Sequence, residues 1–212
     1  KPLQIEALIF GQAGFLNGNF KDDYPKMLKR EYLFLKEKHS LSPIDKYLWK
    51  YMRLRPRNFP TIRLAQFAAL AIKSNHLFSR ILDEKDLNVI IQMFRDLPVN
   101  CYWDTHYRFE LKCSPSSSCL GEQSVNNILV NTISTFLFAF GKRTSTNIYI
   151  NRSLNLLEKL PPETNGIIRR FNELGVKPES AYFSQSLMQL KKTYCDQKKC
   201  LSCGIGTKLL NF

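Results

Sequence analysis

Apolar residues recur along most of this 212-residue chain at the spacing of an amphipathic α-helix. Charged residues alternate with apolar ones over residues 24–38, whereas residues 61–73 are apolar on nearly every side, which predicts a central buried helix. Asp83 is placed to cap a helix that Pro98 closes. The pattern predicts further helices at residues 5–16, 121–141, 151–160 and 163–174, and a last long helix carrying Phe183, Leu187, Leu190 and Tyr194.

Strand-like alternation is limited to residues 102–111, which predicts a short strand or an irregular loop. We therefore expect an all-α fold, a compact multi-helix domain with at most a minor short strand pair near residues 102–111. One domain is expected over residues 1–212. An internal boundary, if there is one, falls near residues 112–120, around a Ser/Pro-rich stretch.

The net charge of +13 indicates the class of partner that the protein binds. An excess of Lys and Arg favours nucleic acid, an acidic protein or a membrane surface. No apolar stretch approaches the roughly 20 residues that cross a bilayer, and no signal peptide is visible. We expect a cytoplasmic protein without a membrane partner. Because the chain lacks an initiator Met, we also expect it to be either a trimmed sequence or the C-terminal part of a longer protein.

Residues 46–63 are rich in Lys and Arg and contain no acidic residue. Two prolines stiffen this stretch, and Asn58 or Thr61 is expected at the start of the helix that follows, with Pro60 in its first turn. Arginines beside a helix N-terminus can grip a phosphate or a carboxylate. The alternative is that they form internal salt bridges. The predicted anion-binding and nucleic-acid-binding residues are Arg53, Arg55, Arg57, Asn58 and Arg63.

The aromatic stretch 102–109 has two interpretations. Exposed aromatic rings interleaved with Arg and His can stack on bases, and His106 can act as a general base that Asp104 orients. The alternative, which the absence of any metal or triad spacing around the three histidines favours, is a packed aromatic loop in which His106 is hydrogen-bonded.

Cys195, Cys200 and Cys203 lie close together among lysines, which suggests a zinc or iron–sulfur site. Both kinds of site usually need four ligands, and no Cys or His follows Cys203. A fourth ligand would have to be distant, such as Cys101 or His106. The alternative is free or packed thiols. Signatures of the standard enzyme classes are missing, so no catalytic residues are assigned.

Four stretches together resemble a bacterial family catalogued as domain of unknown function 2851. They are Ile5 to Leu16, Arg55 to Ala65, Tyr102-Trp103 with His106-Tyr107, and Tyr194-Cys195 with Cys200 to Gly206. The resemblance implies that the chain is the C-terminal half of a longer protein whose N-terminal region is nuclease-like. It implies no activity and no residue roles for this half.

These observations support three functions of different classes. The first is a basic helical module that binds nucleic acid and accompanies the nuclease-like region. The second is a scaffold domain without ligand, in which Arg55, Arg57 and Arg63 are buried against carboxylates such as Glu6 or Asp104. The third is a zinc or iron–sulfur protein.

Overall fold

Helices form where the apolar spacing predicts them, in a computed structural model that describes residues 1–74 and 76–210. The predicted helices 24–38 and 61–73 are confirmed to within a residue at each end. The N-terminal part contains α1 (Pro2–Gln12), α2 (Asp23–His39), α3 (Pro60–Lys73), α4 (Leu77–Asp83) and α5 (Leu87–Arg95). The C-terminal part contains α6 (Glu122–Ile128), α7 (Thr135–Arg143), α8 (Asn147–Lys159), α9 (Gly166–Glu173), α10 (Ala181–Leu190) and α11 (Gly204–Leu209).

Short helical turns and one hairpin complete the secondary structure. A π-helical turn, Leu129–Ser134, joins α6 to α7, and a second, Lys191–Cys195, continues α10. Turns of 3-10 helix occupy Lys46–Leu48, Pro56–Asn58, Cys101–Asp104 and Cys200–Ser202. Strands β1 (His106–Arg108) and β2 (Leu111–Lys112) pair antiparallel, with His106 opposite Lys112 and Arg108 opposite Leu111. The expected all-α fold with a minor strand pair is therefore confirmed.

Several predicted helix boundaries differ from those of the structure, and the helices predicted at 151–160 and 163–174 begin at Asn147 and Gly166. The first helix ends at Gln12 rather than residue 16, because Gly14 takes a left-handed backbone with φ of 75° and turns the chain. Asp83 ends α4 rather than capping the next helix, which begins at Leu87. None of the described helices is long and apolar enough to cross a membrane.

The chain divides into two compact units, each with its own packed interior. Unit 1 comprises residues 1–80 and 88–121. Its core joins α1, α2 and α3 to the aromatic stretch before β1, and contains Ala7, Phe10, Ala13, Phe15, Leu16, Leu28, Tyr32, Ile62, Ala65 and Trp103. The expectation of one domain over residues 1–212 stays a prediction.

Unit 2 comprises residues 81–87 and the chain from residue 122 onward. Helices α7 and α8 pack together, and the buried Ser153 hydroxyl donates to the backbone carbonyl of Ser134 across 2.8 Å. Arg152 donates to the carbonyls of Ile81, Leu82 and Glu84 at the C-terminal end of α4. A guanidinium there satisfies carbonyls that the helix leaves unpaired and complements its dipole.

Candidate nucleic-acid interface

A basic, exposed stretch of unit 1, residues 46–57, leads into α3. We call these residues the basic segment. Two aromatic side chains anchor its middle: the Trp49 Nε1–H donates to the carbonyl of Ala13 across 2.9 Å and its ring packs on Phe15, while the Tyr51 ring packs on Phe59. The cations are exposed: Lys46, Lys50, Arg53, Arg55 and Arg57. The segment therefore presents cations to solvent from two fixed attachment points.

Large apolar side chains of the basic segment are exposed as well. Tyr47 is 80% exposed and Met52 is 83% exposed, while Leu48 and Leu54 are also solvent-facing. Clusters of exposed apolar side chains commonly mark surfaces that bind a partner. The sequence pattern gave no indication of this exposure, because the tertiary fold decides which side chains of a short loop are buried.

The start of α3 differs in one respect from the sequence-based expectation. Phe59 is the residue that precedes the helix, without a side-chain cap, so the expected placement of Asn58 or Thr61 as the cap is wrong. Pro60 occupies the first turn, as predicted. The Thr61 hydroxyl instead donates to the carbonyl of Tyr107, which ties α3 to β1.

Three of the predicted site residues have internal hydrogen bonds. The Arg63 guanidinium donates to the side chains of Asn58, across 2.7 Å, and Gln66, across 2.9 Å. Half-burial disfavours the charged form of Arg63 and lowers its pKa. Arg57 is exposed and donates to the carbonyl of Ser117. The structure thus brings Asn58 and Arg63 together, and leaves Arg53 and Arg55 exposed to solvent.

The burial predicted by the scaffold hypothesis is not observed for Arg55 or Arg57, both of which are exposed. The carboxylates named in that hypothesis have other contacts. Glu6 accepts from the Tyr24 hydroxyl, and Asp104 accepts from the backbone N–H and the hydroxyl of Ser118.

The aromatic stretch 102–109 belongs to the core of unit 1. Trp103 is buried and stacks on Phe10 at a centroid distance of 5.2 Å. His106 is buried and stacks on Tyr102 at 3.9 Å, and its Nδ1 lies 2.9 Å from the Tyr102 carbonyl. Since a carbonyl only accepts, Nδ1 carries a proton. The packed-loop interpretation is therefore the correct one for these rings.

The expected orientation of His106 by Asp104 is wrong. The carboxylate facing His106 is that of Asp22, whose Oδ2 lies 3.7 Å from Nε2. Asp104 instead holds the Ser118 turn. A residue 84 positions away in sequence could not be paired with His106 from local spacing.

Among the cavities of unit 1, two are lined by charged residues. One, of about 300 Å³, is lined by residues that include Arg57, His106 and Cys113. The other, of about 320 Å³, is lined by two cations, Lys46 and Arg108, together with aromatic rings. Sequence reasoning missed Arg108 as a site residue. Its position among aromatic residues was the only available signal.

The cysteines of unit 2 lie in short turns. Cys195 ends the π-helical turn and is exposed, Cys200 begins a 3-10 turn and is exposed, and Cys203 is buried before α11. Among the side chains that the structure describes, no three His, Cys, Asp or Glu residues lie close enough together to hold a metal ion. The assignment of these cysteines to zinc or an iron–sulfur cluster stays a prediction, and no argument below rests on it.

The fold and the exposed basic segment define a mostly helical, basic protein. The family model described as Protein of unknown function (DUF2851) matches residues 1–166, and the chain belongs to this family. The cysteine stretch lies outside the matched residues, and the placement of the chain in the C-terminal half of family members stays a prediction. No curated protein and no solved structure matches the chain.

Proposed function

We propose that this chain binds nucleic acid through the basic segment. The observation that carries the proposal is the exposure of five cations, Lys46, Lys50, Arg53, Arg55 and Arg57, within twelve residues that contain no acid. Lys and Arg side chains that replace the counterions of a phosphate backbone supply most of the affinity of non-specific binding.

Exposed Tyr47 strengthens the proposal. Proteins that bind single strands combine a positively charged track with aromatic side chains on which bases stack. Tyr47 is exposed among the cations, whereas the rings of residues 102–109 are committed to packing. We therefore assign base stacking to Tyr47 rather than to the stretch 102–109.

The family resemblance implies a nuclease-like N-terminal region, and binding of nucleic acid by this chain would serve that region. A helical module that holds a strand beside such a region would raise the local concentration of substrate there. The proposed partners are thus nucleic acid and the N-terminal region of the parent protein. An acidic protein is the alternative partner for the same segment, because it offers negative charge together with an apolar surface.

Replacing Arg53 and Arg55 together by Gln tests the proposal. We expect affinity for a fluorescein-labelled single strand to fall about tenfold or more at low salt, because two exposed phosphate contacts are removed without disturbing a described hydrogen bond. Fluorescence anisotropy measures the change, with single- and double-stranded DNA and RNA as ligands.

The matched control replaces Lys36 and Lys38 by Gln, the same charge change in the exposed last turn of α2. It should alter affinity little. The proposal is wrong if the unmodified chain binds none of these nucleic acids at low salt, or if the control weakens binding as much as the arginine variant.

A further inference from the structure

The cavity beside the basic segment has the chemistry of a phosphate-binding pocket. Its volume is about 320 Å³, in the size range of small-ligand sites. Lys46 and Arg108 line it together with Tyr51, which carries a hydroxyl, and Thr61, whose hydroxyl already donates to the carbonyl of Tyr107. These groups come from the basic segment, the start of α3 and β1, so the pocket is assembled by the tertiary fold of unit 1.

Arg108 is held in place by aromatic rings rather than by a carboxylate. Its guanidinium carbon lies 3.8 Å from the centroid of Tyr51 and 5.0 Å from that of Phe59. Such stacking fixes the plane of a guanidinium and leaves its N–H edge free for a ligand. The positive charge of Arg108 also opposes the rise that burial causes in the pKa of Tyr51.

The buried Nε of Arg108 has no hydrogen-bond partner among the residues that the structure describes. Buried donors are nearly always satisfied, so an unsatisfied one needs an explanation. Among residues 1–74 and 76–210, neither Arg108 nor Lys46 forms an ion pair. The charges of Lys46 and Arg108 can therefore act on an anion in the cavity, whereas the Arg108 Nε itself has too little accessible surface to be reached from it.

Glu110 also lines the cavity, and its carboxylate accepts from the backbone N–H of Lys21. The charged lining thus consists of two cations and one carboxylate, an excess of one positive charge. This excess positive charge favours the binding of an anion. Because the excess is a single charge, we expect the pocket to hold one anionic group. Asn19 and the rings of Phe20 and Phe109 form other parts of the wall, suited to the uncharged part of a ligand.

We propose that this cavity binds a single phosphate group at the end of a nucleic-acid strand. The inference rests on the proposed function, because Lys46 belongs both to the basic segment and to the cavity. A strand that follows the exposed cations reaches the cavity at Lys46, and a cavity of this volume holds a terminal phosphate and its sugar rather than a continuous strand. Free inorganic phosphate shares the chemistry that the pocket would recognise.

Three oligonucleotides that share one sequence and differ only in their ends test the inference. Anisotropy would compare strands of one sequence that carry a 5′-phosphate, a 3′-phosphate or only hydroxyl ends. We expect a phosphorylated end to bind about tenfold tighter than hydroxyl ends, since it adds charge-assisted hydrogen bonds. Lys46→Gln and Arg108→Lys should abolish this preference, the second because an ammonium cannot reproduce the stacked, forked donor.

Two further variants separate the pocket from the basic segment. Lys50 lies outside the cavity lining. Lys50→Gln should therefore weaken the binding of all three strands equally and leave the ratio of their affinities unchanged. Glu110→Gln removes the repelling charge but keeps an oxygen that accepts from Lys21, so it should increase the preference. If Arg108→Lys fails to fold, the exposed Lys46 and Glu110 variants still test the inference.

Calorimetric titration with inorganic phosphate, with sulfate as the comparison, completes the test. Binding of phosphate that Lys46→Gln removes is the expected result. Equal affinity for all three strands overturns the inference and leaves the proposed function standing. Failure to bind any strand overturns the proposed function and the strand-end assignment together, even if inorganic phosphate binds.

Discussion

Glu6 is a carboxyl group that the fold of unit 1 buries, with 8% of its surface exposed. It accepts from the Tyr24 hydroxyl across 3.3 Å, and that hydroxyl in turn accepts from the Trp103 indole N–H across 3.2 Å. Burial raises the pKa of Glu6, and the hydrogen bond from Tyr24 opposes that rise only in part. The ionised form is therefore disfavoured in the folded chain.

A pH-dependent gain in stability is expected from Glu6→Gln. Since the folded-state pKa is higher than the unfolded one, the contribution of Glu6 is full below about pH 4.3 and is lost as the pH rises through the folded value. At pH 7 the variant, whose amide oxygen still accepts from Tyr24, should have a higher urea midpoint than the original chain. The two midpoints should converge near pH 4, as measured by circular dichroism. A lower midpoint for the variant at pH 7 would contradict this.

At the scale of elements, the contact of α1 with α2 depends on the glycine at position 11. A Cβ added to Gly11 would overlap the ring of Tyr32, which is buried against it. The absence of a side chain at Gly11 therefore allows α1 and α2 to approach closely.

We expect Gly11→Ala to destabilise unit 1 by about 1–3 kcal/mol, because the Tyr32 ring must move out of a well-packed position. Chemical denaturation measures the loss. Gly121→Ala is the matched control, since an added Cβ there contacts nothing within 4 Å, and it should be close to neutral. Equal stability of both variants would show that the two helices can separate without cost.

The elements that the sequence predicted well are those whose apolar spacing is long and regular, such as α2 and α3. The error at the end of α1 has a local cause in Gly14, whereas the error at Asp83 involves a distant residue. At Asp83, the carbonyls at the end of α4 are bound by Arg152, about seventy positions along the chain. No local capping pattern contains that information.

The candidate site was predictable only in part for the same reason. The cations of residues 46–57 were found because charge and the absence of acids are local properties. Arg108 was not, since the contacts of its guanidinium with the rings of Tyr51 and Phe59 are made by the tertiary fold. Likewise, Asp22 rather than Asp104 faces His106 because of the tertiary fold.

For the whole molecule, the balance of charge determines how binding should respond to salt. Unit 1 holds the larger share of the excess positive charge, and the basic segment lies in it. Five phosphate contacts imply a loss of affinity of roughly 100- to 1,000-fold between about 50 and 200 mM salt. Anisotropy titrations across that range measure the slope, and affinity independent of salt would exclude the basic segment as the contact.

The aromatic stretch that completes the core of unit 1 comes late in the chain. Phe10 and Tyr24, near the start, are covered by Trp103 and Tyr102, which lie about eighty or more positions later. During synthesis, α1 and α2 are therefore made well before the side chains that cover them. Exposed apolar surface on a partly made chain is prone to aggregate, so we expect the nascent chain to need protection by chaperones until residue 110 has emerged from the ribosome.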